Sequence, residues 1–288
     1  MKQSKTVLGI ECSPIRPSFV LKVQYARDMS QVLTDYWQRL SNITVEVYKE
    51  NIPDIFTDGK IIFDANLSQT VKNKLSKKIV ELNKLYRSVF NRLPIFYINK
   101  VDKKTTMDVK NSVTESVPED LQFLVVNFNN ENQRALIAKD ALIRSNVDLI
   151  TNIDKDMQDQ VYKALQESLM RGRDIDYMKG ELSKIHGAKF SEKRIKLIAR
   201  DQIDKATQAI NDAVLLDAGI TQEIWKHSKI SRVPRQSHLH ANNTVYDIAK
   251  GCEIDGEFIH PAEKPGCNCY SAPFIPGINS KTGNKLDK

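Results

Sequence analysis

Three of the four cysteines in this chain lie in its last quarter, at Cys252, Cys267 and Cys269, and they are interleaved with His238, His240 and His260. Thiolate and imidazole are the side chains that bind borderline-soft metal ions, so the clustering asks for a chemical reason. A Cys-x-Cys pair can give two thiolates to one tetrahedral ion, and Cys252 and His260 would complete four ligands with Cys267 and Cys269. His238 is the alternative imidazole. The chemistry expected of such a set is a structural zinc. Against it, the spacing is tighter than the usual two to four intervening residues, and a free cysteine is also a small packing residue. Pro265-Gly266 suits a type II turn that delivers Cys267 to the start of a new segment.

His238 has two readings. It pins an irregular loop through a hydrogen bond, or it pairs with a thiolate such as Cys267 in nucleophilic chemistry. The second needs a carboxylate or another orienting group and a pocket. The sequence sets no carboxylate clearly beside it, so binding rather than catalysis is expected, with no catalytic residue assigned.

The elements that must position these residues differ between the two halves. Residues 19–40 are apolar at helical spacing, and a second helix is expected from an N-cap at Ser68 to about Arg92, stopped by Pro94. Residues 103–117 can be helical, 121–128 are a strand or the lead-in to a helix, and 130–144 are helical. Further helices are expected over 154–170 and 175–185, ending at Gly172 and Gly187. Ser191 opens a long helix whose apolar side carries Ile195, Ile198, Ala199, Ile203, Ala206, Ile210, Ala213 and Val214, and Gly219 ends it. Short strands then follow at 223–227, 244–248, 257–259 and 270–275 between turn residues. The fold class is therefore mainly α with a small C-terminal α+β module. Its divisions are a helical region 1–145, a helical segment 146–222, a compact α+β module 223–278 and a polar tail 279–288. Trp225 reads as a core anchor.

Charge narrows the partners. The net charge is +7, from 43 basic and 36 acidic side chains. Residues 69–104 hold ten Lys or Arg against Glu81 and Asp102. Residues 184–235 hold eleven against six. Such stretches fit a polyanion, or they are solvated helix faces. Lys72, Lys74, Lys77, Lys78 and Arg87 are the candidate DNA contacts. Aromatics make up only 7% of the chain, so contact with double-stranded DNA is expected to be to phosphates and blind to sequence. No apolar run approaches the roughly 20 residues of a membrane span. The four cysteines do not make a secreted disulfide framework, which points to a reduced, cytosolic place of folding.

From about Asn146 to Pro276 the chain resembles the phage head morphogenesis family, the Mu F-like minor head proteins. The likeness runs in order through Asn146-Val147-Asp148-Leu149-Ile150, a helix pair ending at Gly172 and Gly187, and Ile198-Ala199-Arg200. It continues through Asn211, Gly219-Ile220, Trp225, Arg235-Gln236-Ser237-His238 and Pro265-Gly266-Cys267-Asn268-Cys269. The resemblance implies a minor structural protein of a tailed-phage head, with the portal protein, head shell proteins and packaged DNA as partners. Its place would be the head interior or portal vertex of the virion, after assembly in the host cytoplasm. It would act in head assembly, packaging or genome delivery. On this reading Arg200, Asn211, Trp225, Arg235, His238, Cys267 and Cys269 are structural motif residues. Three departures bear on chemistry. Arg200-Asp201-Gln202 stands where many members have Arg-Thr-Glu, Ser231 stands where an Asp precedes the His, and Cys267-Asn268-Cys269 replaces Cys-Arg-Cys. Two rivals remain: a nuclease or transferase-type enzyme using the His- and Cys-rich module, and a zinc-stabilised nucleic-acid-binding module.

Overall fold

The computed structural model describes residues 9–51, 65–119, 133–170, 175–189, 191–228 and 234–277. Among these residues five long helices dominate: α1 (Phe19–Asn51), α2 (Ala65–Ser116), α3 (Gln133–Met170), α4 (Ile175–Lys189) and α5 (Glu192–Asp217). A sixth, α6 (Gln236–His240), is short. The strands are β1 (Gly9–Glu11), β2 (Gln222–Lys226), β3 (Val245–Asp247), β4 (Cys252–Ile254), β5 (Glu257–Ile259) and β6 (Tyr270–Pro276). Mainly α with a small C-terminal α+β module describes this architecture. Among the described residues, no helix is long and apolar enough to cross a membrane.

The chain divides into two compact units, and one of the cuts between them falls between residues 144 and 145. One comprises 24–95 and 145–198, the other 1–23, 96–144 and 199–288. The first unit is helical. Its core is a set of seams at three- and four-residue spacing: Tyr25, Met29, Leu33, Tyr36 and Leu40 on α1, and Val71, Leu75, Ile79, Leu82, Tyr86 and Phe90 on α2. Ile150, Met157 and Val161 of α3 and Met178 and Leu182 of α4 join them. Buried polar atoms are paired within it: the Tyr36 hydroxyl donates to Asn83 Oδ1 at 2.8 Å, and the Tyr48 and Ser168 hydroxyls lie 2.8 Å apart.

Several helix ends differ from expectation. Ser68 lies inside α2, which starts three residues earlier, and Pro94 does not stop it. A proline in a helix interior costs about 3 kcal/mol. Here Phe90, Tyr97, Ile98 and Val101 are all buried around it, and that burial outweighs the lost hydrogen bond. Residues 133–170 form one helix rather than two, and α4 runs through Gly187 to Lys189. The segment 121–128, Gly172, Ser231, Arg232 and the tail 279–288 lie outside the described residues.

In the second unit, β1, β6, β2 and β3 lie side by side in that order, every neighbour antiparallel, and β4 pairs with β5 as a hairpin. β6 pairs with β2 through Ile224↔Ala272 and Trp225↔Ser271. Ile224, Ala272 and Phe274 form one apolar cluster. Trp225 belongs to a second, with Tyr246, Cys252, Ile254, Ile259, Cys267 and Cys269. Successive residues of a strand face opposite sides, which explains why neighbours Ile224 and Trp225 fall in separate clusters. α5 ends as expected, at Gly219 with φ +82°.

Candidate metal centre

Two neighbouring cysteines and a histidine 29 residues before the first of them meet in the second unit. His238 Nδ1 lies 3.5 Å from Cys267 Sγ and 3.7 Å from Cys269 Sγ. The three ligand atoms are all within 4.8 Å of one another, and each residue is buried. Zinc bonds of the usual length to sulfur and nitrogen, at a tetrahedral angle, set the two atoms about 3.6 Å apart. The separations match, so this cluster can hold a metal ion.

Local structure explains the placement. His238 projects from α6, and Arg235, just before that helix, donates from Nη2 to Pro265 O at 2.9 Å. Pro265-Gly266 forms the expected turn: Cys267 N–H donates to Lys264 O at 3.0 Å, and Gly266 has φ +69°. The Gly266 N–H donates to Asp201 Oδ1 of α5 at 3.1 Å. A two-residue spacing along extended chain then puts Cys267 and Cys269 on one side. The Trp225 indole stands edge-on to the His238 ring, centroids 5.2 Å apart and planes at 90°.

The two thiols are pushed in opposite directions. A hydrogen bond from Cys269, further N–H donors from the Cys269 and Ala262 backbones and the nearby His238 pull the Cys267 thiol down to about 5 despite burial. Cys269 is pushed up, first by that same hydrogen bond to Cys267 and then by burial.

Two expected ligands are elsewhere. Cys252 packs in the apolar cluster of Trp225 and Tyr246, where burial raises its thiol, and it is not among the three convergent ligands. His260 is engaged by Asp212, Nδ1 to Oδ2 2.8 Å, and that hydrogen bond raises its imidazole above the usual 6.5. The reason is topological. Cys252 opens one strand of the β4–β5 hairpin, and His260 follows the other and is drawn to α5. His238, the alternative, is the imidazole that joins the cysteines.

The polar side of α5 is not a solvated face. Asp204, Gln208 and Asn211 are buried, and the last two reach Glu223 and Ser271. Glu223 is fully buried and also accepts from the Ser271 hydroxyl at 2.8 Å and the Tyr246 hydroxyl at 2.6 Å. Burial first, and the charge of Asp212 second, push its carboxyl well up. Sequence reasoning missed Glu223, although its place two residues before a core tryptophan in a strand puts it on the same inward face.

The basic candidates do not form one surface. At 100° per residue, Lys72, Lys74, Lys77, Lys78 and Arg87 spread over about 240° of the α2 circumference. The Lys72 ammonium lies 6.0 Å from the Tyr162 ring centroid, and Lys78 pairs with Glu46 at 3.2 Å. Lys74, Lys77 and Arg87 are exposed.

No family model and no solved structure matches the chain. An uncharacterized protein of Haemophilus influenzae is 25% identical over 179 residues, which is 62% of this chain and 38% of that relative. The chain thus spans well under half the length of the relative it resembles.

Proposed function

We propose that this chain is a minor structural protein of a tailed-phage head that works by binding: to the portal protein and head shell, and without sequence preference to double-stranded DNA. One observation carries the reading. Arg200, Asn211, Trp225, Arg235, His238, Cys267 and Cys269, the motif residues of the resemblance, converge within one module. A side chain at Gly266 would meet Arg200 Nη2 at 3.9 Å, Arg235 holds Pro265, and Asn211 reaches the β6 residue Ser271 at 3.0 Å. A motif set that packs within one compact unit is a unit of architecture. In this reading zinc is the ion for the three-residue cluster, acting as a staple. The protein resides in the head interior or at the portal vertex. The test is mass spectrometry of gradient-purified heads made by the encoding genome. Low-copy presence, retained with the portal on mild disassembly, is expected; absence from both empty and filled heads overturns the assignment.

The metal cluster also suits a zinc-stabilised nucleic-acid-binding module working outside any virion, which stoichiometric zinc without particle association would favour. An enzyme is less well supported. His238 and Cys267 are paired in space, but both are 4% exposed, which leaves a substrate little access to the sulfur.

A further inference from the structure

Trp225 is 0% exposed, and its indole nitrogen is buried with no well-formed hydrogen bond. A buried N–H without an acceptor is rare and calls for an explanation. The group it lies against is the Cys269 sulfur. A neutral thiol accepts hydrogen bonds weakly, whereas a metal-bound thiolate accepts them strongly. The other groups around the two sulfurs are donors as well. The backbone N–H groups of Ala262 and Cys269 lie near the Cys267 sulfur, and that of Ser228 lies near Cys269. Ala262 is buried and held at φ +64°, a conformation that costs energy in a residue other than glycine. That cost has a return if its N–H must meet a charged sulfur.

We propose that the Trp225 indole N–H is a positioning donor of a Cys2His metal centre, holding Cys269 as the thiolate that binds the ion. The inference rests on the reading that His238, Cys267 and Cys269 hold a metal. Outer hydrogen bonds of this kind orient a ligand and tune its basicity, and their loss commonly weakens metal affinity 10- to 100-fold, an order-of-magnitude figure.

The test uses the full chain loaded with cobalt(II). Wild type should take up one ion and show a sulfur-to-cobalt charge-transfer band. Trp225→Phe should keep that stoichiometry, lose about tenfold or more in affinity, and move the band to lower energy, because a sulfur without its donor is easier to oxidise. A band and an affinity within about twofold of wild type would overturn the role of Trp225 while leaving the metal centre standing. A wild-type chain that binds neither cobalt nor zinc would overturn the centre itself. Should the variant fail to fold, the wild type still decides. On zinc loading, the Trp225 indole proton resonance should move downfield, and that of Trp37, the other tryptophan, should stay. Equal or absent shifts would refute the proposal.

Discussion

Asp212 on α5 holds His260 at 2.8 Å, and the pair joins the long helix to the segment after β5. Because the Asp212 hydrogen bond raises the imidazole above 6.5 in the folded chain, the folded state binds that proton more tightly than the unfolded one. The contribution is fully present below pH 6.5 and is lost as pH rises through the higher folded value. Its size should be about 1 kcal/mol or less, since the pair is partly exposed. Urea unfolding of wild type and Asp212→Asn from pH 5.5 to 8.5 checks it. An identical slope in both would mean that His260 titrates independently of Asp212.

Removing a sulfur tests the centre. Cys267→Ser and Cys269→Ser should each abolish binding of one zinc per chain, whereas Cys252→Ser and Cys12→Ser should not. Burial raises the Cys12 thiol to about 11, so it behaves as a packing residue. Elemental analysis of the four purified variants is the measurement. Loss of metal from Cys252→Ser would restore that residue to the ligand set.

Glu223 is surrounded by donors, so its role is as an acceptor. Glu223→Ala would leave the Tyr246 hydroxyl without its acceptor, while Ser271, Gln208 and Asn211 keep other bonds, and should cost about 1–3 kcal/mol. Glu223→Gln keeps one carbonyl oxygen and should cost clearly less. Chemical denaturation that ranks the two variants equal would show that the charge is what the site requires.

Ile203 is fully buried and Lys205 is paired with Asp201 at 2.9 Å on the solvent side of α5. Ile203→Asp should cost about 3–5 kcal/mol, because it buries a carboxylate without a partner. Against a typical stability of about 5–15 kcal/mol that is a large share. Lys205→Gln should cost less than about 1 kcal/mol. Melting curves that fall equally would mean that the buried side of α5 has been misassigned.

DNA binding, if present, should be weak and steeply dependent on salt. Lys77 and Lys84 lie about 20° apart around the helix axis and are both exposed. Reversing both to Glu should lower the salt slope by about 2, from a slope of about 0.9 for each phosphate contact. Reversing Lys72 and Lys78 should lower it less, because those cations face Tyr162 and Glu46. A titration in which the second pair matters more would place the contact on the other side of α2.

The helices were legible where one apolar seam repeats, as on α1 and α5, and so were the strands that became β2, β3, β5 and β6. Their ends were less so. Pro94 carries a local rule that burial overrode, and no local signal reports burial. The turn at Pro265-Gly266 was readable because Gly266 meets a backbone requirement that few other residues can. The ligand set was half readable. Residue types named the candidates, but choosing His238 over His260 depended on Asp212, which lies 48 positions earlier on another element. Glu223 was hidden because a charged residue suggests solvent even where, as here, it shares a strand face with a core tryptophan.

Gly9 and Pro276 sit opposite each other in adjacent strands, from the two ends of the described chain. A sheet whose first and last strands are neighbours has the least local contact pattern its length allows, and such patterns fold slowly. On a ribosome, β1 emerges well before β6 and lacks that neighbour until β6 has been made. The helical core formed by residues 24–95 and 145–198 has no such dependence, so order should arise there first and reach the sulfur cluster last. Metal uptake would then report that the final strand is in place.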